Sequence, residues 1–431
     1  MRRTAWFGLV LAAVPRVASA TSGTAFGESA RVAAQGNAVV GAPGDAGSIR
    51  ENPAGLADVT EPQVMLGASV GHVAIDFTRH GEADAPRQRW LGGYGLAAAT
   101  PLPGPDWLRR LRVGLALYLP AEHVLRVSVD ARTDQPQSPI YDGRPDRMSA
   151  LGALAYEVVP ALRIGAGVVM APTLATPTEV TYVAERADGV ERDVVVRLDR
   201  DLEMDVSPFA GIRAQPLPEL GIGLVARAAS ISRAGGGQRT VAGGILADDP
   251  IDYHQFWDPS EVVLGVSAGS FSGTTLTADL GYARWSSFRS GLNRSLDVPF
   301  EDTLNPRVGV AHLLRPWLTV RGGYAFEPTP VPEQVGDENY LGADTHMLAL
   351  GAGSDLRKLW RRVPIGVDVF TRVRFGGSQQ VDKDPNRLSD ATPELPEKQI
   401  DNLGHPGFRS SAFFWQAGLS LTLYVGRERP R

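Results

Sequence analysis

The sequence contains no cysteine among its 431 residues, which excludes disulfide bonds and thiolate metal sites. It has no run of about eighteen apolar residues, which excludes a protein that crosses a membrane with helices. Positive charge is not in excess, because 43 Lys and Arg face 48 Asp and Glu, and this balance argues against nucleic acid as a partner. The seven histidines lack metal-ligand spacing, and no phosphate loop or nucleophile elbow occurs, so we predict neither metal, cofactor nor catalytic residues.

Residues 1–20 have the features of a secretory signal. Arg2 and Arg3 supply the positive start, residues 5–14 form a short apolar stretch, and residues 18–20 are the small-residue cleavage site Ala-Ser-Ala. The apolar stretch is too short to span a bilayer as a helix. The sequence therefore predicts an exported protein, with a buried N-terminal helix as the alternative.

The residues near the C-terminus alternate between apolar and small or polar side chains over an unusual length. One face carries Phe413, Trp415, Ala417, Leu419, Leu421, Leu423 and Val425, and the other carries Phe414, Gln416, Gly418, Ser420, Thr422 and Tyr424. Strands of soluble proteins have about five or six residues, whereas a membrane strand needs about nine to eleven. The length of this segment favours a strand of a transmembrane barrel.

Three other segments share this alternation and place charges on the face that carries small residues. A charge on the lipid face of a barrel costs about 2–4 kcal/mol at the bilayer centre. We therefore predict that Asp279, Arg321, Asp368 and Arg372 face the lumen. From strand phase we select Phe370, Phe414 and Tyr424 as candidate ligand contacts.

Short and long connections alternate along the chain. The long ones lie at about 78–88, 130–147, 177–200, 233–260, 289–304, 333–344 and 376–410. This asymmetry is typical of outer-membrane barrels and predicts an all-β, antiparallel transmembrane β-barrel of about fourteen strands, with both chain ends in the periplasm. Trp90, Trp257, Trp285, Trp317 and Trp415 fall near strand ends, where aromatic girdles lie. A large soluble β-sandwich would also show alternation and is the alternative.

The segment before the first strand has a different character. Residues 21–62 are rich in Gly and Ala, and strand alternation begins only at about Gln63. The Asn52-Pro53 step, followed by Ala54 and Gly55, marks a turn. We predict that residues 21–62 form a plug, or hatch, inside the lumen of a barrel formed by residues 63–425, with a tail at 426–431.

Three stretches together resemble the FadL/TodX group of outer-membrane transporters for hydrophobic compounds. The first is the segment around residues 45–57, with Asn52-Pro53-Ala54-Gly55-Leu56-Ala57. The second runs from Asp258-Pro259-Ser260-Glu261 to Trp285-Ser286-Ser287-Phe288. The third runs from Arg321-Gly322-Gly323-Tyr324 to Asp344-Thr345-His346. The resemblance is weaker between about 120 and 200 and after Gly426.

The resemblance implies a fourteen-stranded barrel with an internal hatch, located in the bacterial outer membrane. Such a protein takes up long-chain fatty acids or aromatic hydrocarbons passively and releases them sideways through the wall at the third strand. Pro120 falls in that region and lacks the N–H that a ladder needs, so we predict a lateral gate there, with a simple strand end as the alternative. The expected partners are hydrophobic small molecules and outer-membrane lipid, around a monomeric barrel.

Other roles remain open at this stage. A barrel of this kind could be a general porin for polar solutes, or it could anchor or assemble surface proteins. A phospholipase would need a Ser–His pair on the barrel wall, for which His312 or His346 could serve.

Overall fold

The computed structural model describes residues 29–79, 82–83, 87–126, 136–137, 146–175, 178–184, 194–198, 201–242, 245–291, 293–360, 362–389 and 402–426. The predicted signal at 1–20 and most of the predicted tail lie outside the described residues. Among the described residues, no helix is both long and apolar enough to span a membrane.

The described chain is built almost entirely from antiparallel strands. They are β1 (Gln63–Arg79), β2 (Glu82–Ala83), β3 (Arg87–Pro101), β4 (Leu111–Pro120), β5 (Ser149–Val159), β6 (Leu162–Ala175), β7 (Thr178–Ala184), β8 (Val194–Leu198), β9 (Asp201–Leu217), β10 (Leu220–Arg227), β11 (Ser230–Ala242), β12 (Ile245–Asp258), β13 (Glu261–Phe271), β14 (Thr274–Ala283), β15 (Thr303–Arg315), β16 (Leu318–Glu327), β17 (Thr345–Asp355), β18 (Ile365–Gly376), β19 (Gln379–Asp382) and β20 (Gly407–Tyr424). Two short helices, α1 (Ala30–Ala34) and α2 (Asp106–Arg109), and 3-10 turns at Ala46–Ser48, Pro53–Asp58, Trp285–Ser287, Leu356–Lys358 and Pro385–Arg387 complete the elements.

The main sheet closes on itself, because β1 pairs with β20 from Gln63–Tyr424 to Arg79–Phe408. Apart from the short strands β2 and β19, fourteen strands form the wall. The predicted fourteen-stranded antiparallel barrel is therefore confirmed. At one end, residues 160–161, 218–219, 272–273 and 316–317 are tight turns, and we call this the short-turn end. The other end carries the longer connections and is the long-loop end.

The outer face of the wall is apolar and exposed. Leu350 is 65% exposed, Leu115 60% and Leu66 56%, and similar side chains recur on almost every strand of the wall. Soluble proteins seldom expose large contiguous apolar patches. This continuous apolar band therefore favours the membrane barrel over the soluble sandwich.

Two predicted long loops are not loops. Strands β7 and β8 lie within 177–200, and β11, which begins at Ser230, and β12 occupy most of 233–260. The four strands form a separate sheet in the order β12-β11-β7-β8. The first predicted loop, at 78–88, is also shorter than expected, because β1 extends to Arg79 and β3 begins at Arg87. In these regions the strands continue beyond the membrane band, so polar composition did not mark their ends.

The N-terminal segment, residues 29–62, lies inside the barrel. Helix α1 packs against β16, β17, β18 and β20, whereas the turn Pro53–Asp58 packs against β4, β5, β6 and β9 on another part of the wall. Its side chains are buried, with Val32, Ala34 and Asn52 each at 0% exposure. Contact with strands all around the wall places this segment across the lumen.

Candidate functional site

Asn52 is the central polar residue of the N-terminal segment. Its Oδ1 accepts a hydrogen bond from the backbone N–H of Ala54 at 3.0 Å, which caps the 3-10 turn that begins at Pro53. Its Nδ2 donates to the carbonyl of Val40 at 3.0 Å and to that of Ile212, on β9, at 3.2 Å. The predicted hatch turn thus links two parts of the segment to the wall.

Glycines on the inner face of the wall receive the segment, and we call them the glycine belt: Gly165, Gly211, Gly223, Gly265, Gly309, Gly323 and Gly351. A Cβ atom at Gly223 would overlap the carbonyl oxygen of Val40, and one at Gly323 would overlap the carbonyl carbon of Gln35. Gly165 pairs with Gly211, Gly223 with Gly265, and Gly309 with Gly323 on neighbouring strands. The belt lets the backbone of the segment touch the backbone of the wall.

Charged contacts hold the segment beside this belt. Asp58 pairs with Arg213 and with the Nε of Arg163, the latter at 3.0 Å. Arg227 donates to the carbonyls of Arg50, at 2.7 Å, and of Glu51, at 2.9 Å. Bonds between an arginine and a carboxylate or carbonyl are stronger than neutral hydrogen bonds. The segment is therefore fastened to the wall as well as fitted to it.

The four charges selected from strand phase all lie on the inner face. Asp279 accepts a hydrogen bond from the backbone N–H of Val40 at 3.0 Å. Arg321 pairs with Asp368 at 2.6 Å. Arg372 is 1% exposed and donates to Gln416 at 2.8 Å and to Asn37 at 3.3 Å. Asp279 and Arg372 thus bind the segment directly.

The three aromatic residues selected as ligand contacts do not form one group. Phe370 packs against Ala30, Ala33 and Ala34 of the segment. Phe414 packs with Leu91 and Tyr118, two residues that the sequence argument did not single out. Tyr424 lies at the short-turn end, under the guanidinium of Arg357 at 3.5 Å. Only Phe370 and Phe414 therefore lie in the part of the lumen that Tyr118 also faces.

The wall beside Tyr118 is unusually thin. A cavity of about 30 Å³ is lined by Gly67, Gly93, Gly95 and Tyr118 together with Phe370. A Cβ at Gly95 would meet nothing within 4 Å, whereas at Gly93 it would overlap the Tyr118 ring. Tyr118 therefore lies over a place where the wall is only backbone.

Pro120 is the last residue of β4 and faces the lumen next to this thin wall. It pairs with Gly93 at the end of a ladder that runs without a register shift to Pro101–Arg112. The next residue, Ala121, donates its N–H to the carbonyl of Gly92 at 2.9 Å. The wall is closed in this structure, and the gate at Pro120 stays a prediction.

An aromatic cluster fills the long-loop end. Phe288 stacks on Phe300 with 4.4 Å between ring centroids, Tyr340 lies edge-on to Phe300 at 5.2 Å, and Trp257 and Trp285 surround them. The two tryptophans are buried, so the prediction that they belong to a membrane girdle is wrong. Both lie where the chain leaves the membrane-spanning strands and folds inward. The alternation of residues along a strand does not predict this change of direction. Trp90, at 62% exposure, does face outward.

A pocket of about 50 Å³ lies beside Arg50 of the N-terminal segment. Its walls combine Arg50, Arg147 and Arg227 with Val169 and Phe209. Arg147 also pairs with Asp258 at 3.1 Å. The pocket thus offers both apolar and charged surface above the segment.

Two loop groups near the cluster have shifted titration. Burial raises the pKa of Glu338 to about 7, and burial lowers the pKa of Lys383 to about 8. Glu338 accepts a hydrogen bond from the N–H of Asp297 at 3.1 Å, and Lys383 donates to the carbonyls of Gly336 and of Glu338 itself. The packing of these loops is therefore sensitive to pH.

The two histidines considered for hydrolysis lie on the outer face of the wall. His312 bonds to the hydroxyl of Thr274 at 2.9 Å, and His346 to that of Tyr324 at 2.8 Å. Among the residues that the structure describes, no group of three or more His, Asp or Glu could hold a metal ion.

No family model matches the chain, and no curated protein matches it in sequence. Solved structures do match its fold. A FadL homologue from Pseudomonas aeruginosa superposes with a TM-score of 0.63 at 15% identity, covering 95% of this chain and 100% of the other. The toluene transporter TodX of P. putida matches with a TM-score of 0.55 at 16% identity, covering 93% and 99%.

The Ralstonia pickettii toluene transporter TbuX gives a TM-score of 0.51 at 15% identity, with 93% and 99% covered. Likenesses at these identities establish the fold. They confirm, at that level, the resemblance seen in the sequence.

Proposed function

We propose that this chain is a passive outer-membrane channel for hydrophobic small molecules, such as long-chain fatty acids or aromatic hydrocarbons. The observation that carries the proposal is a closed barrel whose lumen is crossed by the N-terminal segment and capped by an aromatic cluster. Neighbours of the same fold include a FadL homologue and two toluene transporters.

Capture would take place at the long-loop end, which we assign to the cell exterior. A fatty chain gains about 0.8 kcal/mol for each methylene that it buries. Trp257, Trp285, Phe288 and Phe300 are packed together and buried in this structure, and they would offer apolar surface to a ligand that separates them. A water-filled pore offers none of this free energy. The cluster therefore suits an apolar ligand better than a sugar or an ion.

Passage inward requires the N-terminal segment to act as a hatch. Ion pairs and hydrogen bonds hold it in place in this structure, and its backbone touches the glycine belt at Gly165, Gly223 and Gly323. A ligand that binds the displaced state more tightly would shift the equilibrium toward it. No energy source is needed, because each step is a population shift.

Exit would occur sideways beside Tyr118 and Pro120. There the wall is glycine backbone, and the Tyr118 ring is the side chain that lies over Gly93. Pro120 lacks an N–H at the end of β4, and because Ala121 bonds to Gly92 of β3, the missing donor would point toward the β5 side of the strand. Exit there would require rotation of Tyr118 together with local separation of the ladder between β3 and β4 beside Gly93.

Uptake by cells tests the proposal against its two rivals. Cells that lack their own hydrophobic-compound channel would express this chain and receive labelled oleate, toluene or sucrose. We expect faster entry of oleate or toluene and unchanged entry of sucrose. Faster sucrose entry alone would indicate a general porin, and no change for any solute would favour an anchoring or assembly role.

A matched pair of tryptophan variants links uptake to the cluster. Trp285→Ala removes a ring that is 2% exposed at the long-loop end, and Trp90→Ala removes one that is 62% exposed on the outer face. We expect Trp285→Ala to slow uptake of the apolar solutes and Trp90→Ala to leave it unchanged. Equal uptake by the two variants would remove the cluster from the proposed route.

A further inference from the structure

The outer face of the wall is concave across β13 to β17. The concavity has a volume of about 700 Å³, and the side chains that line it on the outer face are Val266, Ala268, Leu276, Ala278, Val308, Val310, Gly322, Tyr324, Leu348 and Leu350. We call it the outer groove. The only polar side-chain atom among them is the Tyr324 hydroxyl, which is bonded to His346.

Strand register explains the shape of the outer groove. Ala268, Leu276, Val310, Gly322 and Leu350 form one row across the five strands, and Val266, Ala278, Val308, Tyr324 and Leu348 form the next. Ala268, Ala278 and Gly322 have little or no side chain, so the surface is depressed at these positions relative to the longer side chains beside them. Leu276 and Leu350, 52% and 65% exposed, rise on either side.

The inner face of the same strands contacts the N-terminal segment. A Cβ at Gly309 would lie 2.8 Å from the carbonyl oxygen of Gln35, and one at Gly323 would overlap the backbone of Gln35 and Gly36. The segment therefore lies directly against the wall on the inner side of the outer groove.

We infer that the outer groove is a binding site for one acyl chain of a bilayer phospholipid. Five strands about 4.8 Å apart give the groove a length of about 19 Å. One leaflet of the hydrocarbon core is about 15 Å deep, and barrel strands tilt by about 40°, so one oblique chain matches the groove. A lipid chain fills the space because dispersion contacts are lost wherever a cavity has no partner atoms.

The groove suits other occupants less well. A second copy of the barrel related by a twofold axis would bring groove against groove and leave both unfilled. An added peptide strand would find no open ladder, because β14, β15 and β16 are paired on both sides. The site recognises a chain by shape, since within a bilayer there is no hydrophobic driving force between apolar surfaces.

Filling the groove tests the inference. Gly322→Leu places a side chain on the groove floor, where a Cβ has room at 3.6 Å from Val310 and 3.7 Å from Leu350. Gly152→Leu is the matched control, because Gly152 also faces outward and its Cβ would lie 3.7 Å from Leu115, far from the groove. Ala278→Leu is a second filling variant from another strand.

The mature chain would be reconstituted with palmitoyl-oleoyl phosphatidylethanolamine, extracted in mild detergent and measured by native mass spectrometry. Folding of each variant is checked by the heat-dependent shift of the barrel on gels. We expect loss of a retained phospholipid from Gly322→Leu and Ala278→Leu, and full retention by wild type and Gly152→Leu. Equal retention by wild type and a folded filling variant would overturn the inference, whatever the transport assays show.

Discussion

Replacing one glycine of the belt by alanine should displace the N-terminal segment, whereas the same replacement elsewhere on the inner face should not. At Gly223 the new methyl would overlap the carbonyl oxygen of Val40 and lie 2.7 Å from its carbon. Because both obstacles are backbone atoms, no side-chain rotation relieves the conflict. At Gly95, also on the inner face, a methyl would meet nothing within 4 Å.

Overpacking of this kind costs about 1–3 kcal/mol. The cost falls on the seated state of the segment and is absent when the segment has moved away. Since about 1.4 kcal/mol is a tenfold change in an equilibrium constant, Gly223→Ala should raise the population of the displaced state about 5- to 140-fold. Gly95→Ala should leave this population unchanged, because its methyl group meets no atom of the segment. The two substitutions alter strand propensity equally, so Gly95→Ala controls for that effect.

Single-channel recording in planar bilayers measures this population directly as the fraction of time in a conducting state. Deletion of residues 24–57 provides the fully unplugged reference. We expect Gly223→Ala to conduct more often than wild type and Gly95→Ala to match wild type. If both folded variants conduct like wild type, the segment does not control the lumen and the hatch proposal is wrong.

Three further predictions follow from the same contacts. Asn52→Ala removes the cap and leaves buried carbonyls without a donor, a loss of about 3 kcal/mol, so its conducting events should increase, whereas Asn305→Ala, on the wall, should match wild type. Pro120→Val restores a backbone N–H at the end of β4, on the side of β5, and should favour extension of the closed wall; uptake of apolar solutes by cells should fall, and unchanged uptake would argue against a gate there. Burial raises the pKa of Glu338 from 4.5 to about 7, so the folded loops bind a proton that unfolded loops release. Loop stability should therefore fall as the pH rises from about 4.5 to 7, and hydrogen exchange should show this loss in wild type but not in Glu338→Gln.

Strand phase predicted the wall well, because lipid and lumen impose opposite demands on alternate residues. It placed Asp279, Arg321, Asp368 and Arg372 on the inner face, where the structure has them. The same phase puts Gly223, Gly265 and the other belt glycines on that face. The belt was visible in the pattern, but only the position of the N-terminal segment shows why those residues are glycine.

The alternation of side chains along a strand predicted less of the structure outside the membrane-spanning part of the barrel. Trp257 and Trp285 lie at strand ends, as girdle residues do, yet both turn inward because the external chain folds over the lumen. The alternation pattern did not predict strands β7, β8, β11 and β12. These segments are charged and rich in glycine, and they lack the apolar face that contact with lipid imposes on the wall strands. Contacts such as Tyr118 with Phe414 join distant strands, and alternation along one strand says nothing of them.

The fastening of the segment limits which ligands can move it. The partly buried ion pairs of Asp58 with Arg163 and Arg213 resist separation, at a cost that is at most the value of about 3–5 kcal/mol for breaking a fully buried pair. A ligand must offset a cost of this order through its stronger binding to the displaced state. At about 0.8 kcal/mol per methylene, a chain that newly buries roughly five methylenes supplies it. Under the proposed function, a polar solute would gain no such free energy from methylene burial, so the contacts that hold the segment in place would favour apolar ligands.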